Sequence, residues 1–289
     1  MAYAASGGSL TTQPALTLTL TRTPVLTLTS SLANQATVQN QQDKEPADSM
    51  TRLIFLPGLA ADGGMWLAQL QAMPSALCPH VTDVHFRHPT LPAMAEALLR
   101  EHDGELVLCG ASMGGMLAME VARQAPERIR GLALLGTSAR PETDAMRKVR
   151  EAAIDVFAQG RMEDILRPNV PLAFHPAQAA DPLLVQAYFD LIMRAGPQQL
   201  IAQNRAVMAR PDARLHLPHV ACPVLVLCGD ADQLAPPECS REIAALVPQA
   251  ELVMLPECGH MLTLEKPRAV NAALIDWLAR HRLSASAAA

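Results

Sequence analysis

The chain has 289 residues, half of them hydrophobic, which is enough for one large domain or two small ones with a sizeable core. Its net charge of −5 comes from 28 acidic and 23 basic residues without a long block of like charge, which argues against nucleic acid or an anionic membrane as a partner. No run of about 18 apolar residues and no basic segment followed by an unbroken apolar one occurs, so neither a membrane span nor a standard signal peptide is predicted.

The six cysteines are scattered, with no C-x-x-C pair and no Cys/His spacing that suits zinc. Three lie in or at the end of apolar runs, where they are predicted to be small buried residues. We therefore expect no metal, no other cofactor and a reducing compartment, the cytoplasm.

Residues 1–50 differ in composition from the rest and are rich in Thr, Ser, Gln and Ala. The stretch "LTLTLTRTPVLTLTSSL" alternates with period two, as in a β-hairpin, but two isolated strands are marginal in water. We predict a disordered or loosely attached extension, with a hairpin that extends the main sheet as the alternative. A cleaved transit segment is a third option, and Met50 is an alternative natural start.

From Arg52 onward, short apolar segments alternate with longer segments of helical period, which predicts a mostly parallel sheet flanked by helices. The predicted strands are 52–56, 81–86, 105–109, 131–136, 223–228 and 251–255. Two of the predicted helices are 113–125, which ends at a proline, and 267–281, whose apolar stripe is expected to face the core.

The interval between Thr137 and Pro218 contains only helical patterns, which predicts an all-helical insertion after the strand near residue 136. We interpret residues 139–217 as a helical cap over the edge of the sheet. Residues 51–138 and 218–283 then form the core, and residues 284–289 a disordered tail.

The segment "ELVLCGASMGGMLAMEVA", residues 105–122, turns from an apolar strand directly into a helix through Gly110-Ala111-Ser112-Met113-Gly114. This is G-x-S-x-G in its required context, where glycines on either side of a strained serine allow strand and helix to approach. Ser112 is therefore the predicted nucleophile. The amide of Met113, at the helix N-terminus, is predicted to bind an oxyanion.

A serine hydroxyl needs a base that is oriented by an acid, and on such a fold the chain order is serine, acid, histidine. The strand in "PVLVLCGDADQLAPPE" is followed by Asp230 and Asp232, and the strand in "AELVMLPECGHMLTLEKP" is followed by His260. Asp230 follows its strand so closely that we assign it to the turn and choose Asp232 as the acid. Among the nine histidines, His260 is the one that completes the order.

Residues 51–283 resemble an α/β-hydrolase of the capped serine esterase and lactonase branch, which includes carboxylesterases, pimeloyl-carrier-protein methyl esterases and 3-oxoadipate enol-lactonases. The resemblance rests on "GASMGG", "LVLCGDADQLAPP" and "ECGHMLTLEKP" in the correct order and spacing. It implies an α/β-hydrolase fold and a triad of Ser112, Asp232 and His260, the same assignment that residue chemistry favours.

The resemblance also implies a second oxyanion amide after an early strand, usually in the form His-Gly-x. Here Pro57-Gly58-Leu59 occupies that place, so the Leu59 backbone N–H is the candidate donor. The departure from the pattern is Pro57, which brings no hydrogen-bonding side chain. The rigidity of this loop would then depend on proline's fixed φ.

These residues predict a serine hydrolase that cleaves a carboxylic ester or lactone of a small-to-medium substrate through an acyl-enzyme on Ser112. We expect the protein to be a monomer or homodimer. The alternatives on the same triad are C–C bond hydrolysis, thioester hydrolysis, perhydrolase chemistry and proton-transfer elimination; a non-catalytic receptor or scaffold is an alternative of another class. Four arginines of the insertion could meet an anionic substrate tail, although solvated helix faces usually explain such charges: Arg147, Arg150, Arg161 and Arg194. The candidate substrate-binding residues flank the motifs and are Gly58, Met65, Trp66 and Met261.

Overall fold

The computed structural model describes residues 51–283, so the predictions for residues 1–50 and 284–289 lie outside the described residues. This part of the chain contains a six-stranded sheet. Its strands are β1 (Arg52–Leu56), β2 (His80–Val81), β3 (Leu106–Ala111), β4 (Ile129–Leu135), β5 (Val224–Gly229) and β6 (Ala250–Leu255). Across residues 51–283, none of the helices has the length and apolar character that a membrane span requires.

The strands lie in the order β2-β1-β3-β4-β5-β6, and every neighbouring pair is parallel. Parallel strands need a crossover between them, and their carboxyl ends then meet at the same edge of the sheet. The loops after β1, β3, β5 and β6 therefore converge at one edge. The predicted parallel sheet is confirmed.

Both faces of the sheet are buried. Side chains alternate between the two faces, so Leu53 and Phe55 belong to one apolar cluster while Ile54 and Leu56 belong to the other. The helices outside the segment between β4 and β5 are α1 (Leu67–Ala72), α2 (Val84–Arg87), α3 (Leu91–Glu101), α4 (Met113–Gln124), α9 (Pro237–Leu246), α10 (Leu262–Glu265) and α11 (Pro267–Arg280). The second cluster includes residues of α3, α4 and α9, and the first includes residues of α1 and α11.

The second predicted strand, 81–86, is wrong beyond its start: only His80–Val81 is extended, and Val84–Arg87 forms helix α2. Thr82 ends the strand, because its hydroxyl accepts a hydrogen bond from the Val84 amide at 3.3 Å. Thr and Asp side chains commonly compete with strand pairing in this way. The other predicted strands agree with the structure to within two residues at each end.

Between β4 and β5 the chain forms only helices, as the sequence predicts. They are α5 (Asp144–Ala158), α6 (Met162–Asn169), α7 (Pro176–Ala179) and α8 (Pro182–Met208), with short 3-10 turns between and after them. Helix α8 is kinked at Gly196, whose φ of 78° and ψ of 168° are not helical, directly before Pro197. We call residues 139–217 the helical insert; its division from the core at these boundaries stays a prediction.

Candidate active site

Ser112 lies at the turn from β3 into α4, with φ 53° and ψ −116°. A non-glycine residue in this region stores about 1–3 kcal/mol of strain and needs support from its surroundings. The support comes from two sides: the Ser112 amide donates to the Leu135 carbonyl at 2.9 Å, and the Thr137 hydroxyl donates to the Ser112 carbonyl at 2.7 Å. The end of β4 therefore holds the serine in its strained conformation.

Glycines allow this turn to form. A Cβ on Gly110 would overlap the carbonyl of Gly114, and a Cβ on Gly114 would overlap the carbonyl of Leu56 at the end of β1. Helix α4 thus begins in close contact with the backbone of two strands, an approach that no other residue type permits.

His260 and Asp232 form a buried pair. The His260 Nδ1 lies 2.8 Å from Oδ2 of Asp232 and 3.0 Å from its Oδ1. The same carboxylate also accepts hydrogen bonds from the amides of Leu234 and Ala235, at 2.9 and 2.8 Å. A carboxylate that is held by two amides keeps one orientation and can hold the imidazole in one tautomer, with its proton on Nδ1.

Asp230 is directed elsewhere. Its carboxylate accepts from the amide of Cys258 at 3.2 Å, and its own amide donates to the Leu255 carbonyl at 3.0 Å. The structure therefore brings Asp232 to the histidine and uses Asp230 to join the loops after β5 and β6.

The end of β4 brings the serine and the His–Asp pair to the same place. Gly136 directly follows the carbonyl that binds the Ser112 amide, and a Cβ on Gly136 would lie 3.4 Å from Nδ1 of His260 and 3.1 Å from Oδ2 of Asp232. Within residues 51–283 no hydrogen bond joins the Ser112 hydroxyl to the imidazole. Such bonds often form only when substrate is bound.

The loop that carries His260 is held by two partners from outside it. The carbonyl of Ala173, in the helical insert, accepts from the amides of His260 and Met261 at 2.9 and 3.1 Å. The carboxylate of Glu265 accepts from the amides of Gly259, Met261 and His175 at 2.8 to 3.1 Å. Both partners bind backbone amides and so fix the position of the backbone from which the His260 side chain extends.

The loop after β1 lies against the serine, since a Cβ on Gly58 would be 3.5 Å from the Cβ of Ser112. Its amides are nearly all used: Gly58 donates to Sδ of Met65 at 3.3 Å, Ala60 to Oε1 of Gln203 at 2.6 Å, and Ala61 to the Gly58 carbonyl at 3.2 Å. The Leu59 amide between them has no acceptor among the described residues, and neither has the Met113 amide. Two unused amides beside a serine can hydrogen-bond an oxyanion.

The predicted substrate-binding side chains are engaged in packing. Met65 is the acceptor for Gly58, and Trp66 is fully buried with its ring centroid 4.8 Å from that of Phe55. Met261 is buried beside His260 and is joined by its amide to Ala173 and Glu265. Contact of these three residues with a substrate stays a prediction.

The arginines of the helical insert that sequence analysis considered for an anionic tail have other partners. Arg194 pairs with Asp62 at 3.0 Å, and Arg161 with Asp164 at 2.7 Å. Arg150 pairs with Glu142, and Arg147 donates to a backbone carbonyl of α8. Each of these four arginines therefore has a hydrogen-bonding or ion-pair partner among the described residues.

Three residues that hydrogen-bond the loops of the site were not predicted from the sequence: Gln203, Glu265 and Ala173. Gln203 lies within a helical pattern with no local signal. Glu265 is part of the motif "ECGHMLTLEKP", where an acid five residues after the histidine was the available signal. Ala173 acts through its carbonyl, which no side-chain pattern reveals.

A parallel sheet whose third strand turns through a strained serine into a helix, with a histidine loop at the same edge, is the architecture of the α/β-hydrolases. Residues 77–267 match the family model described as alpha/beta hydrolase fold, and the chain belongs to this family.

Known proteins of this family are similar over most of their length. The pimeloyl-[acyl-carrier protein] methyl ester esterase of Aromatoleum aromaticum is 29% identical, over 74% of this chain and 93% of that protein. A thermophilic esterase from Thermogutta terrifontis has a TM-score of 0.72 at 27% identity, covering 80% of this chain and 90% of its own. The enol-lactonase of Burkholderia xenovorans LB400, at 24% identity, shares the fold with a TM-score of 0.70, covering 79% of this chain and 92% of its own. These matches confirm the predicted resemblance, fold class and ester-hydrolase class of enzyme.

Proposed function

We propose that the chain hydrolyses a small to medium-sized carboxylic ester or lactone through an acyl-enzyme on Ser112. The observation that carries the proposal is the buried hydrogen bond between His260 and Asp232 beside the strained serine. In this proposal His260 is the base for the Ser112 hydroxyl, and Asp232 is the acid that orients the imidazole.

In the first half-reaction, the Ser112 oxygen attacks the carbonyl carbon while Nε2 of His260 takes the hydroxyl proton. Asp232 stabilises the imidazolium, and the amides of Leu59 and Met113 hydrogen-bond the oxyanion. The ester C–O bond then breaks, and the departing alcohol receives the proton from His260.

In the second half-reaction, His260 takes a proton from water, and the hydroxide oxygen attacks the acyl carbon. The bond to Ser112 breaks, the serine oxygen recovers the proton from His260, and the acid leaves. Every step uses groups of this chain and water.

Buried apolar side chains of the helical insert support an uncharged, apolar acyl group in the substrate. The helical insert contributes Phe174, Tyr188 and Leu191 to the same buried cluster as Met65 and Met261. The ring of Phe174, next to the carbonyl that holds the histidine loop, meets the ring of Tyr188 edge-on at 5.6 Å. Methyl esters belong in the substrate panel because the Aromatoleum aromaticum relative is named for one.

The test is hydrolysis of p-nitrophenyl acetate and butyrate by the wild type and by Ser112→Ala, together with labelling by a fluorophosphonate. We expect turnover in the wild type to exceed that in the variant by about 10³-fold or more, and a covalent adduct on Ser112 in the wild type. Equal, slow hydrolysis by both proteins would rule out the esterase proposal, and no adduct would favour a receptor.

The helical insert acts as a cap in this proposal. Support comes from the hydrogen bonds of the Ala173 carbonyl with the histidine loop. The Tyr188→Ala variant should change the ratio of kcat/KM for p-nitrophenyl hexanoate and acetate several-fold, because it removes an aromatic ring from the proposed acyl-binding wall and leaves more space there. An unchanged ratio would argue against contact between the insert and the acyl group.

We also propose that the protein is located in the cytoplasm and is a monomer or homodimer. All six cysteines, which lie within the described residues, are unpaired thiols, as expected in a reducing compartment. Cell fractionation tests the location. Light scattering of the purified chain tests the oligomeric state, and a larger assembly would overturn that part.

A further inference from the structure

The loop after β1 contains a strained residue next to the candidate oxyanion donor. Ala60 has a φ of 58°, which is left-handed and costs a non-glycine residue about 1 kcal/mol or more. Its amide donates to Oε1 of Gln203 at 2.6 Å, a hydrogen bond across 143 positions of the chain. The side chain of Gln203 belongs to α8, in the helical insert, and is 1% exposed.

The orientation of the Gln203 amide is determined by the hydrogen bonds that its nitrogen donates, one of them to Oε1 of Gln199 at 3.4 Å. Nε2 donates to the carbonyl of His85 at 3.1 Å. Because a carbonyl can only accept, the nitrogen must face His85, and the oxygen is then directed at Ala60.

His85 is a second residue that holds the loop, through the carbonyl of Ala61. Nε2 of His85 lies 2.8 Å from the Ala61 carbonyl, so this nitrogen carries the proton. The ring is buried, and burial lowers its pKa, which favours the neutral form with a single N–H. Gln203 and His85 therefore hold adjacent parts of the loop and are themselves hydrogen-bonded.

These contacts restrict the peptide unit that carries the Leu59 N–H, because the units before and after it in the chain are both held. Peptide units are planar, so the amide of Gly58, held by Met65, and the amide of Ala60, held by Gln203, orient the units before and after the Leu59 N–H. The middle unit has little freedom once its neighbours are held. Pro57 has no side chain that could hydrogen-bond this loop, so the constraint comes from α8.

We propose that Gln203 is a positioning residue of the oxyanion hole: its side-chain oxygen holds Ala60 in the left-handed conformation that directs the Leu59 N–H toward Ser112. The inference rests on the proposed function and adds to it a link between the helical insert and the reacting centre. Gln203 touches no substrate. Its effect is on the transition state, through the geometry of one amide.

The main test variant is Gln203→Met, which has a similar shape but offers only a thioether sulfur, a much weaker acceptor than an amide oxygen. We expect kcat for p-nitrophenyl butyrate to fall about 10- to 100-fold with KM within about 2-fold, because loss of a whole oxyanion donor costs about 10²- to 10³-fold. The inhibition constant of a trifluoromethyl ketone, which forms an oxyanion on the serine, should rise by the same factor as kcat/KM falls.

Asn204→Leu is the matched control. Asn204 is the next residue of α8, is also buried, and donates to the Leu200 carbonyl and accepts from Arg150, with no hydrogen bond to the loop. Both variants should lose stability in urea unfolding, but only Gln203→Met should lose kcat. An equal fall of kcat in both would overturn the proposal, and so would a folded Gln203→Met with wild-type kcat or with a change in KM alone.

Gln203→Glu keeps the proposal testable if the methionine variant does not fold. It retains an acceptor for the Ala60 amide and, in its protonated form, a donor for the His85 carbonyl, so we expect a kcat within about 10-fold of the wild type. A larger fall in a folded Gln203→Glu would count against the role assigned to the acceptor oxygen. Failure of the proposed function itself would appear separately, as full activity of Ser112→Ala.

Discussion

The imidazole of His260 and the carboxylate of Asp232 meet at 2.8 Å, although 28 positions of the chain separate the two residues. They follow the two neighbouring parallel strands β5 and β6, so the sheet itself brings their loops together. Oδ1 of this carboxylate accepts hydrogen bonds from two backbone amides, while Oδ2 makes the shorter contact with the ring nitrogen. Asp232 is therefore oriented before any substrate arrives.

The first prediction concerns this orientation. Asp232→Asn should lower kcat about 10³- to 10⁴-fold, because an amide can donate to Nδ1 and favours the wrong tautomer of the histidine. The measurement is p-nitrophenyl butyrate turnover. Asp230→Asn is the control: it keeps an oxygen for the Cys258 amide, and its kcat should stay within about 3-fold of the wild type. A larger loss for Asp230→Asn than for Asp232→Asn would reverse the assignment of the acid.

The second prediction concerns Glu265. Its replacement by alanine removes the acceptor of three backbone amides and should destabilise the chain by about 2–4 kcal/mol while lowering kcat, because the histidine loop loses its position. Urea unfolding and kcat are measured together. Glu238→Ala, which breaks an exposed pair with Arg241, should change the free energy of unfolding by less than about 1 kcal/mol. Similar effects of the two substitutions would contradict the role of Glu265.

The third prediction concerns the close approach of α4 to the sheet. Gly114→Ala should destabilise the chain by more than about 4 kcal/mol or prevent folding, because the new methyl group would overlap the Leu56 carbonyl and backbone cannot move aside. Gly63→Ala is the control, since its Cβ would make only an ordinary contact of 4.0 Å with Val81. Its effect should be within about 1 kcal/mol. A stable Gly114→Ala chain would show that the turn from β3 into α4 can accommodate a methyl group.

The fourth prediction concerns pH. Burial lowers the folded-state pKa of His85, so below the unfolded value near 6.5 the unfolded chain binds more protons than the folded one. The free energy of unfolding should therefore fall as the pH drops from about 7 to 5. His85→Gln should make this fall shallower in urea titrations at several pH values, at some cost in stability at pH 8. His219→Gln, at an exposed residue, is the control and should keep the wild-type slope. If the free energy of unfolding varied equally with pH in all three proteins, His85 would be excluded as a cause of the loss of stability at low pH.

Much of the site could be predicted from the sequence because its signals are local. Gly110, Ser112 and Gly114 stand within one turn, and their spacing is meaningful only between a strand and a helix. The alternation of apolar segments with helical periods predicted the parallel sheet, which in turn placed the loops of Asp232 and His260 at the edge of Ser112. The second predicted strand was wrong for a local reason as well, since the turn in which the Thr82 hydroxyl accepts from the Val84 amide outweighs the strand preference of Val84.

The order of Ser112, Asp232 and His260, and the proline in the place of a histidine, are determined by the sequence alone. Only the tertiary structure decides what holds these groups. Gln203 reaches Ala60 across 143 positions, and Glu265 and the Ala173 carbonyl bind backbone amides of the histidine loop. The physical reason is that such partners depend on how a helix packs over the sheet edge, and a backbone amide accepts any suitably placed oxygen. No residue pattern encodes which oxygen the packing will bring.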